Sequence, residues 1–102
     1  MYIIESAERE VSHRGNLAYP LHKISGEGFT DATLSTSGTS ASHTLADKTR
    51  FVSIRPDVDV HIRVGTGTVT ATTDDFLVPA YELFSFEIDG GASRKLAAIE
   101  AV

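Results

Sequence analysis

The four histidines are the first residues to test for chemistry, because imidazole is both a metal ligand and a general base. They are His13, His22, His43 and His61. No two of them have the i, i+2 or i, i+4 spacing that places two ligands on one face of a strand or helix. The chain has no cysteine, which excludes a thiolate zinc site and a cysteine nucleophile. We therefore expect no metal site and no cofactor.

A serine beside a base is the beginning of a nucleophilic site, and Ser40, Ser42 and His43 lie close together in one polar run. The run lacks the Gly-x-Ser-x-Gly pattern of the strained nucleophile elbow. Residues 65–67, Gly-Thr-Gly, match only the first part of a dinucleotide-binding loop, and no helix is expected after them. These patterns indicate no catalytic residues, and we predict that the protein is not an enzyme.

Two pairs of aspartates offer oxygen ligands of the kind that Ca²⁺ prefers. They are Asp57 with Asp59 and Asp74 with Asp75. The complete twelve-residue calcium loop is absent from the sequence, however. Since aspartates are also frequent at strand ends, where they favour turns, we interpret both pairs as turn residues.

The composition describes one ordinary globular domain. The chain has 102 residues, of which 41% are hydrophobic and 23% charged. Its formal charge of −5 is unsuited to general nucleic-acid binding, which needs clustered Lys and Arg. No segment approaches the ~18 apolar residues of a membrane helix, and the first residues, MYIIE, do not resemble a secretory signal. We expect a protein made in a cell's cytoplasm that binds neither nucleic acid nor membrane.

The clearest structural signal is the strict alternation of apolar and polar residues over 58–64. The apolar positions are Val58, Val60, Ile62 and Val64. On a strand these four share one face and point into a core. Asp59, His61 and Arg63 then point outwards, towards solvent or a partner, and we predict them as interface residues.

Other short apolar runs follow at the spacing of a sandwich or barrel. We predict strands over 50–56, 68–72, 76–79, 81–88 and 96–101, with 58–64 and 68–72 forming a hairpin. Propensity alone would also allow a helix over 94–101, but the neighbouring strands favour a strand. The prediction is an all-β fold, a small antiparallel β-sandwich or jelly-roll-like barrel with a less regular N-terminal segment.

The N-terminal segment, residues 1–30, gives weaker signals and is predicted as an arm or extension on the core or on a neighbouring subunit, with 31–102 as the sandwich domain. Residues 2–5 suit a strand and 8–10 a short helical turn, whereas the small polar residues of 35–44 suit a loop or a loosely held strand. Tyr2, Arg9 and Arg14 are the candidate interface residues of this segment.

The last 60 or so residues carry a resemblance in residues 51–55, 58–65, 71–80, 84–88 and 96–99. A strand that ends in Arg63-Val64-Gly65 leads to a Thr- and Ala-rich turn, and Leu77-Val78-Pro79-Ala80 then leads into an aromatic strand. This succession resembles small virion proteins of tailed bacteriophages, which share a β-sandwich plan.

The resemblance implies a structural part of a phage particle without catalytic residues. It favours a capsid decoration (cement) protein that forms a homo-oligomer, with a trimer favoured, and docks on the major capsid protein or other virion proteins. A component of the head–tail junction or tail stays open. A second hypothesis is a small carbohydrate- or ligand-binding β-sandwich with Tyr19, Tyr81 and the aspartates in its loops, although the chain has no tryptophan for sugar stacking.

Overall fold

A computed structural model describes the backbone of residues 1–7, 9–14, 17–22 and 29–101, and the side chains of 1–7 and 31–101. The described residues form ten strands and no helix, so none of them forms a helix that could cross a membrane. The strands are β1 Tyr2–Ser6, β2 Arg9–Arg14, β3 Leu17–His22, β4 Phe29–Thr33, β5 Ala41–Thr44, β6 Phe51–Arg55, β7 Val60–Thr66, β8 Phe76–Val78, β9 Phe84–Glu87 and β10 Arg94–Glu100.

Eight of these strands build two four-stranded antiparallel sheets. The first sheet has the order β4-β1-β6-β9 and the second the order β5-β10-β7-β8. The hairpin of β2 and β3 pairs with neither sheet in the described part of the chain. The predicted all-β fold and small antiparallel sandwich are thus confirmed.

The strand order is that of a jelly roll in circular permutation. From β4 to β10 the chain passes between the sheets in the sequence first, second, first, second, second, first, second. A jelly roll follows the same course and returns to the first sheet with its eighth strand. Here the N-terminal strand β1 occupies the place of that eighth strand, between β4 and β6.

The core lies between the sheets and comes from the alternation of side chains along the inner strands. Ile3, Ile54, Val60 and Leu96 are fully buried and Ile62 nearly so. The predicted inward positions of Val60 and Ile62 are therefore confirmed, and Val64 packs against this cluster. The predicted inward position of Val58 is wrong, because Val58 precedes β7 and is 37% exposed. The remaining buried hydrophobic residues of this cluster are Met1, Leu45, Val52, Val78 and Ala98.

The predicted hairpin between 58–64 and 68–72 is wrong. β7 pairs with β10 on one side and with β8 on the other, so neither of its edges is free for residues 68–72. That segment belongs to the connection over 67–75, in which Gly67 has a φ of 72° and the amide of Ala71 donates to Ser40 Oγ at 2.8 Å. The threonines of 68–72 favour a strand, but they do not form one because no partner strand is available to pair with them.

The N-terminal prediction also needs revision. β1 is an inner strand of the first sheet, and the amino group of Met1 donates to the carbonyl of Leu34 at 2.7 Å. Residues 1–7 therefore belong to the sandwich, not to an extension of it. Arg9 and Glu10 lie in β2, where ladder pairing with β3 replaces the predicted helical turn; Glu8 lies outside the described residues.

Two other local predictions are resolved by the sheet pairing. Residues 41–44 of the polar run form β5, an edge strand held by β10, and residues 34–40 connect it to β4. β10 is an inner strand of the second sheet, so the strand favoured over a helix there is confirmed. A strand with neighbours on both sides satisfies its backbone donors and acceptors as fully as a helix does.

Candidate interaction surface

Exposed apolar side chains gather at one corner of the sandwich. This apolar corner consists of Val58, Phe76, Leu77, Tyr81 and Leu83, whose exposure ranges from 37% for Val58 to 67% for Tyr81. Phe76 stacks towards the other sheet, whereas Leu77, the next residue of β8, points to the outer face, so the corner curves around the edge of the sandwich. Taking about 150–250 Å² for an aromatic side chain, we place the summed apolar surface of the five residues on the order of 500 Å². Patches of this size on small soluble proteins commonly mark sites of interaction.

Two edge strands and two loops build the corner. β8 is the outer strand of the second sheet and β9 the outer strand of the first, so both open edges lie on the same side of the sandwich. The loop between them is tied to the loop before β7 by two hydrogen bonds. The amide of Tyr81 donates to the carbonyl of Pro56, and the amide of Ala80 to Asp59 Oδ1, both at 2.8 Å. These bonds fix the loops to each other.

A row of phenylalanines connects the corner to the core. Phe76 of β8 stacks on Phe84 of β9 with ring centroids 5.0 Å apart and planes at 24°, and Phe84 lies 5.6 Å from Phe86. Phe84 and Phe86 pack against the buried cluster, whereas Phe76 stays 59% exposed. The corner is therefore the outer end of a packed aromatic row, which holds its shape.

Tyr81 is presented from a strained backbone. Its φ of 63° lies in the left-handed region, which a bulky residue enters only at a cost of about 1–2 kcal/mol. The guanidinium of Arg55 lies 5.8 Å from the centroid of its ring, within cation–π range, and Arg55 Nε donates weakly to the Tyr81 carbonyl at 3.5 Å. The strained residue contributes its ring to the surface and little to the core.

Charges of both signs border the corner. Arg55 is exposed at the end of β6, and Glu82 is exposed between Tyr81 and Leu83. In the part of the chain whose side chains are described, neither forms an ion pair. Arg55 also faces Tyr2 across the β1–β6 ladder, so this predicted interface residue lies beside the corner. Tyr2 donates its hydroxyl to Asp31 at 3.0 Å, and that bond raises the tyrosine pKa.

Three predicted interface residues form hydrogen bonds with neighbouring loops of their own chain. They are Asp59, just before β7, and His61 and Arg63 within it. Arg63 donates from Nε and Nη2 to Asp75 Oδ1 at 3.0 and 2.9 Å, and His61 Nδ1 lies 2.8 Å from the Asp75 carbonyl. Asp59 accepts the Ala80 amide, as described above. Their outward direction is as predicted, and their role in an interface stays a prediction. The backbones of Arg9 and Arg14 lie in β2, but their side chains lie outside the described residues.

Asp75 is the centre of this intramolecular contact. The backbone N–H of Thr72 donates to its Oδ2 at 2.8 Å, and this bond together with the Arg63 guanidinium lowers the Asp75 pKa below its ordinary value. Both carboxylate oxygens are therefore already used within the fold. Among the described residues, no group of three His, Asp or Glu side chains is arranged to hold a metal ion.

A second polar cluster, not foreseen from the sequence, lies inside the sandwich. Glu5 is only 5% exposed, and its Oε2 lies 2.7 Å from Nε2 of His43. Its Oε1 accepts the Ala46 amide at 2.9 Å and the Thr49 hydroxyl at 2.8 Å. The cluster joins β1 of the first sheet to β5 of the second. Glu5 follows Met1 and Ile3 at two-residue spacing, and this alternation is the signal that it points inwards.

The serine and histidine neighbours of the polar run do not form a nucleophile–base pair. His43 contacts Glu5, whereas Ser40 accepts the Ala71 amide. A half-open cleft of about 380 Å³ lies at the other end of β6, away from the corner. Its lining residues are Ala7, Arg50, Phe51, Glu87, Ile88 and Asp89. Neither arrangement places a nucleophile beside a base.

Comparisons with protein-family models, with curated proteins and with solved structures found no match to this chain. The function is therefore inferred from the surface geometry and from the sequence pattern. Among the described side chains, five of the six large exposed hydrophobic residues lie in the apolar corner.

Proposed function

We propose that this chain is a non-enzymatic structural protein of a tailed-phage particle, a capsid decoration protein that stabilises the particle through symmetric protein–protein contacts. The observation that supports this most directly is the apolar corner, where Phe76, Tyr81 and Leu83 are each more than half exposed. Large side chains exposed together cost solubility unless a partner covers them. A contact function explains their position.

The architecture supports the same function. A jelly roll closes its core between two sheets and leaves loops and edges available for contacts, and it is a common plan of viral capsid and lectin domains. Because a fold does not define a function, the choice between these classes depends on the sequence. The succession of residues 51–99 resembles phage virion proteins, and this favours the particle.

A symmetric oligomer suits a domain of 102 residues that must hold to a lattice. One copy offers a modest contact area, whereas two or three copies around an axis engage the lattice at once. The second contact is then intramolecular, so the assembly binds more tightly than any single contact does.

The test is the composition of purified particles from the phage or prophage whose genome encodes the chain. We expect mass spectrometry to find the chain in virions at a copy number comparable to that of the major coat protein. Particles that lack the gene product should assemble but release their DNA at lower temperature. Added purified protein should restore their resistance, and protein from an unrelated small β-sandwich provides the control.

Two results would contradict the proposal. Absence of the chain from purified virions would exclude a structural role. A few copies per particle, with immunogold label at the vertex or tail, would replace decoration by a head–tail or tail role. The neighbouring genes provide an independent test of the decoration role, since the gene of a decoration protein is expected beside the major coat gene.

A further inference from the structure

We propose that the apolar corner is the contact surface between copies of this chain, with Tyr81 as its anchor and Arg55 paired with Glu82 of the partner subunit. This inference rests on the symmetric oligomer of the proposed function and adds the surface that forms it. It does not depend on whether the oligomer binds a capsid.

The size of the corner is the first argument for a second copy. Its apolar surface, on the order of 500 Å², approaches what one partner contributes to a standard interface, about 800 Å², once a polar rim is added. The centre of such interfaces is enriched in Tyr, Phe and Arg, and charged residues lie at the rim. The corner has this composition, with Tyr81 and Phe76 inside and Glu82 at its border.

The charges provide the second argument. Arg55 and Glu82 border the same patch and have opposite signs, and neither has an ion-pair partner among the described side chains. The rim also includes the exposed Asp57 and Asp59 on either side of Val58, so the favourable arrangement of two copies is the one that places Arg55 of each against Glu82 of the other. A purely basic or acidic rim would instead favour a partner of opposite charge.

The opposite side of the sandwich gives the third argument. There the edge strands are β4 and β5, and their exposed side chains include Asp31, Thr33, Ser42 and Thr44. A head-to-tail contact would place the apolar corner of one copy against these polar side chains. Apolar surface instead meets apolar surface when two copies direct the same corner towards a two-fold axis.

The backbone conformation of Tyr81 permits a variant that removes the ring without introducing strain. Glycine adopts a φ near 63° without strain, so Tyr81→Gly removes the ring and relieves the left-handed conformation together. We expect the folded monomer to keep its stability and the association to weaken at least tenfold, the loss typical of a central anchor. Sedimentation equilibrium measures the association, and urea unfolding measures the stability.

A charge exchange tests the pairing across the interface. Arg55→Glu and Glu82→Arg should each weaken self-association, because each brings like charges together. An equimolar mixture of the two variants should associate more tightly than either alone, since the carboxylate introduced in one variant then meets the guanidinium introduced in the other. Lys48→Glu, an exposed charge reversal outside the corner, is the matched control and should leave association unchanged.

The outcomes separate this inference from the proposed function. A wild-type chain that is monomeric at every concentration, or one whose association Tyr81→Gly leaves unaltered, would overturn the corner as the self-contact. Particles decorated by such a monomer would still support a virion role. An oligomer that dissociates with Tyr81→Gly but is absent from virions would support this surface and contradict the virion role.

Discussion

Phe76 and Phe84 belong to opposite sheets, and their rings stack 5.0 Å apart where the open edges of the two sheets come together. The same contact closes the core on its inner side and forms the apolar corner on its outer side. The two rings therefore connect the core to the proposed contact surface, and substituting each ring separately distinguishes its effect on stability from its effect on self-association.

We predict that Phe84→Ala lowers the free energy of unfolding by about 2–4 kcal/mol, because Phe84 packs against the buried cluster. Phe76→Ala should cost about 1 kcal/mol, since Phe76 is 59% exposed and loses chiefly the stacking contact. Urea unfolding at one fixed, low protein concentration measures both values. Equal losses for the two variants would show that Phe76 is a core residue and not a surface anchor.

The Glu5 cluster should be a strong internal restraint. We expect Glu5→Gln to destabilise the fold by about 2 kcal/mol, because a neutral amide replaces a carboxylate whose hydrogen bonds with the Ala46 amide, the Thr49 hydroxyl and the His43 ring are stronger. Thr49→Val removes one of those donors and should cost about 1 kcal/mol. Lys48→Gln, on the exposed turn beside Thr49, serves as the surface control in the same thermal unfolding series. A Glu5→Gln protein as stable as wild type would contradict the restraint.

The sequence predicts the strands better than their partners. Residues 58–64 and 81–88 alternate so regularly that their inward faces follow directly, and Val60, Ile62 and Phe86 take the predicted directions. The pairing of β7 with β10 and β8 depends on residues far along the chain. Local pattern contains no information on that choice, so a hairpin with 68–72 is the simplest expectation from sequence.

The candidate surface shows the same limit. Alternation alone predicts that Asp59, His61 and Arg63 point outwards. The loop before β8, however, places Asp75 over β7, where it forms hydrogen bonds with His61 and Arg63. The exposure of Phe76 follows from β8 being an edge strand, and Tyr81 is exposed in the loop between the two edge strands β8 and β9, an arrangement that only the assembled sheets reveal. Alternation defines a direction, whereas exposure depends on what the rest of the chain covers.

Gly67 lies in the turn that ends β7, and substituting it tests the conformation of that turn. Its φ of 72° is unfavourable for any side chain, so Gly67→Ala should destabilise the fold by about 1 kcal/mol. Gly38 is the matched control, because its φ is not in that region and a Cβ there meets no atom within 4 Å. Gly38→Ala should leave stability unchanged or raise it by about 0.5 kcal/mol through a less flexible unfolded chain. Thermal unfolding of both variants in one buffer makes the comparison.

The lowered pKa of Asp75 predicts an acid-dependent loss of stability. Its folded-state pKa lies below the ordinary value of 3.8, because Thr72 N–H and the Arg63 guanidinium favour the carboxylate. The stabilising contribution is therefore complete above that value and is lost as the pH falls through the folded-state pKa. Urea unfolding between about pH 2 and pH 5 should show this loss in wild type.

Asp75→Asn separates this effect from the general acid response of the chain. The variant should be less stable than wild type at neutral pH, since Arg63 loses its charged partner, and its stability should fall less steeply in acid. Asp74→Asn alters the neighbouring exposed carboxylate and should retain the wild-type slope. If the two variants have the same acid slope, the Arg63–Asp75–Thr72 contact does not form in solution, and residues 67–75 are not held over β7 by this carboxylate.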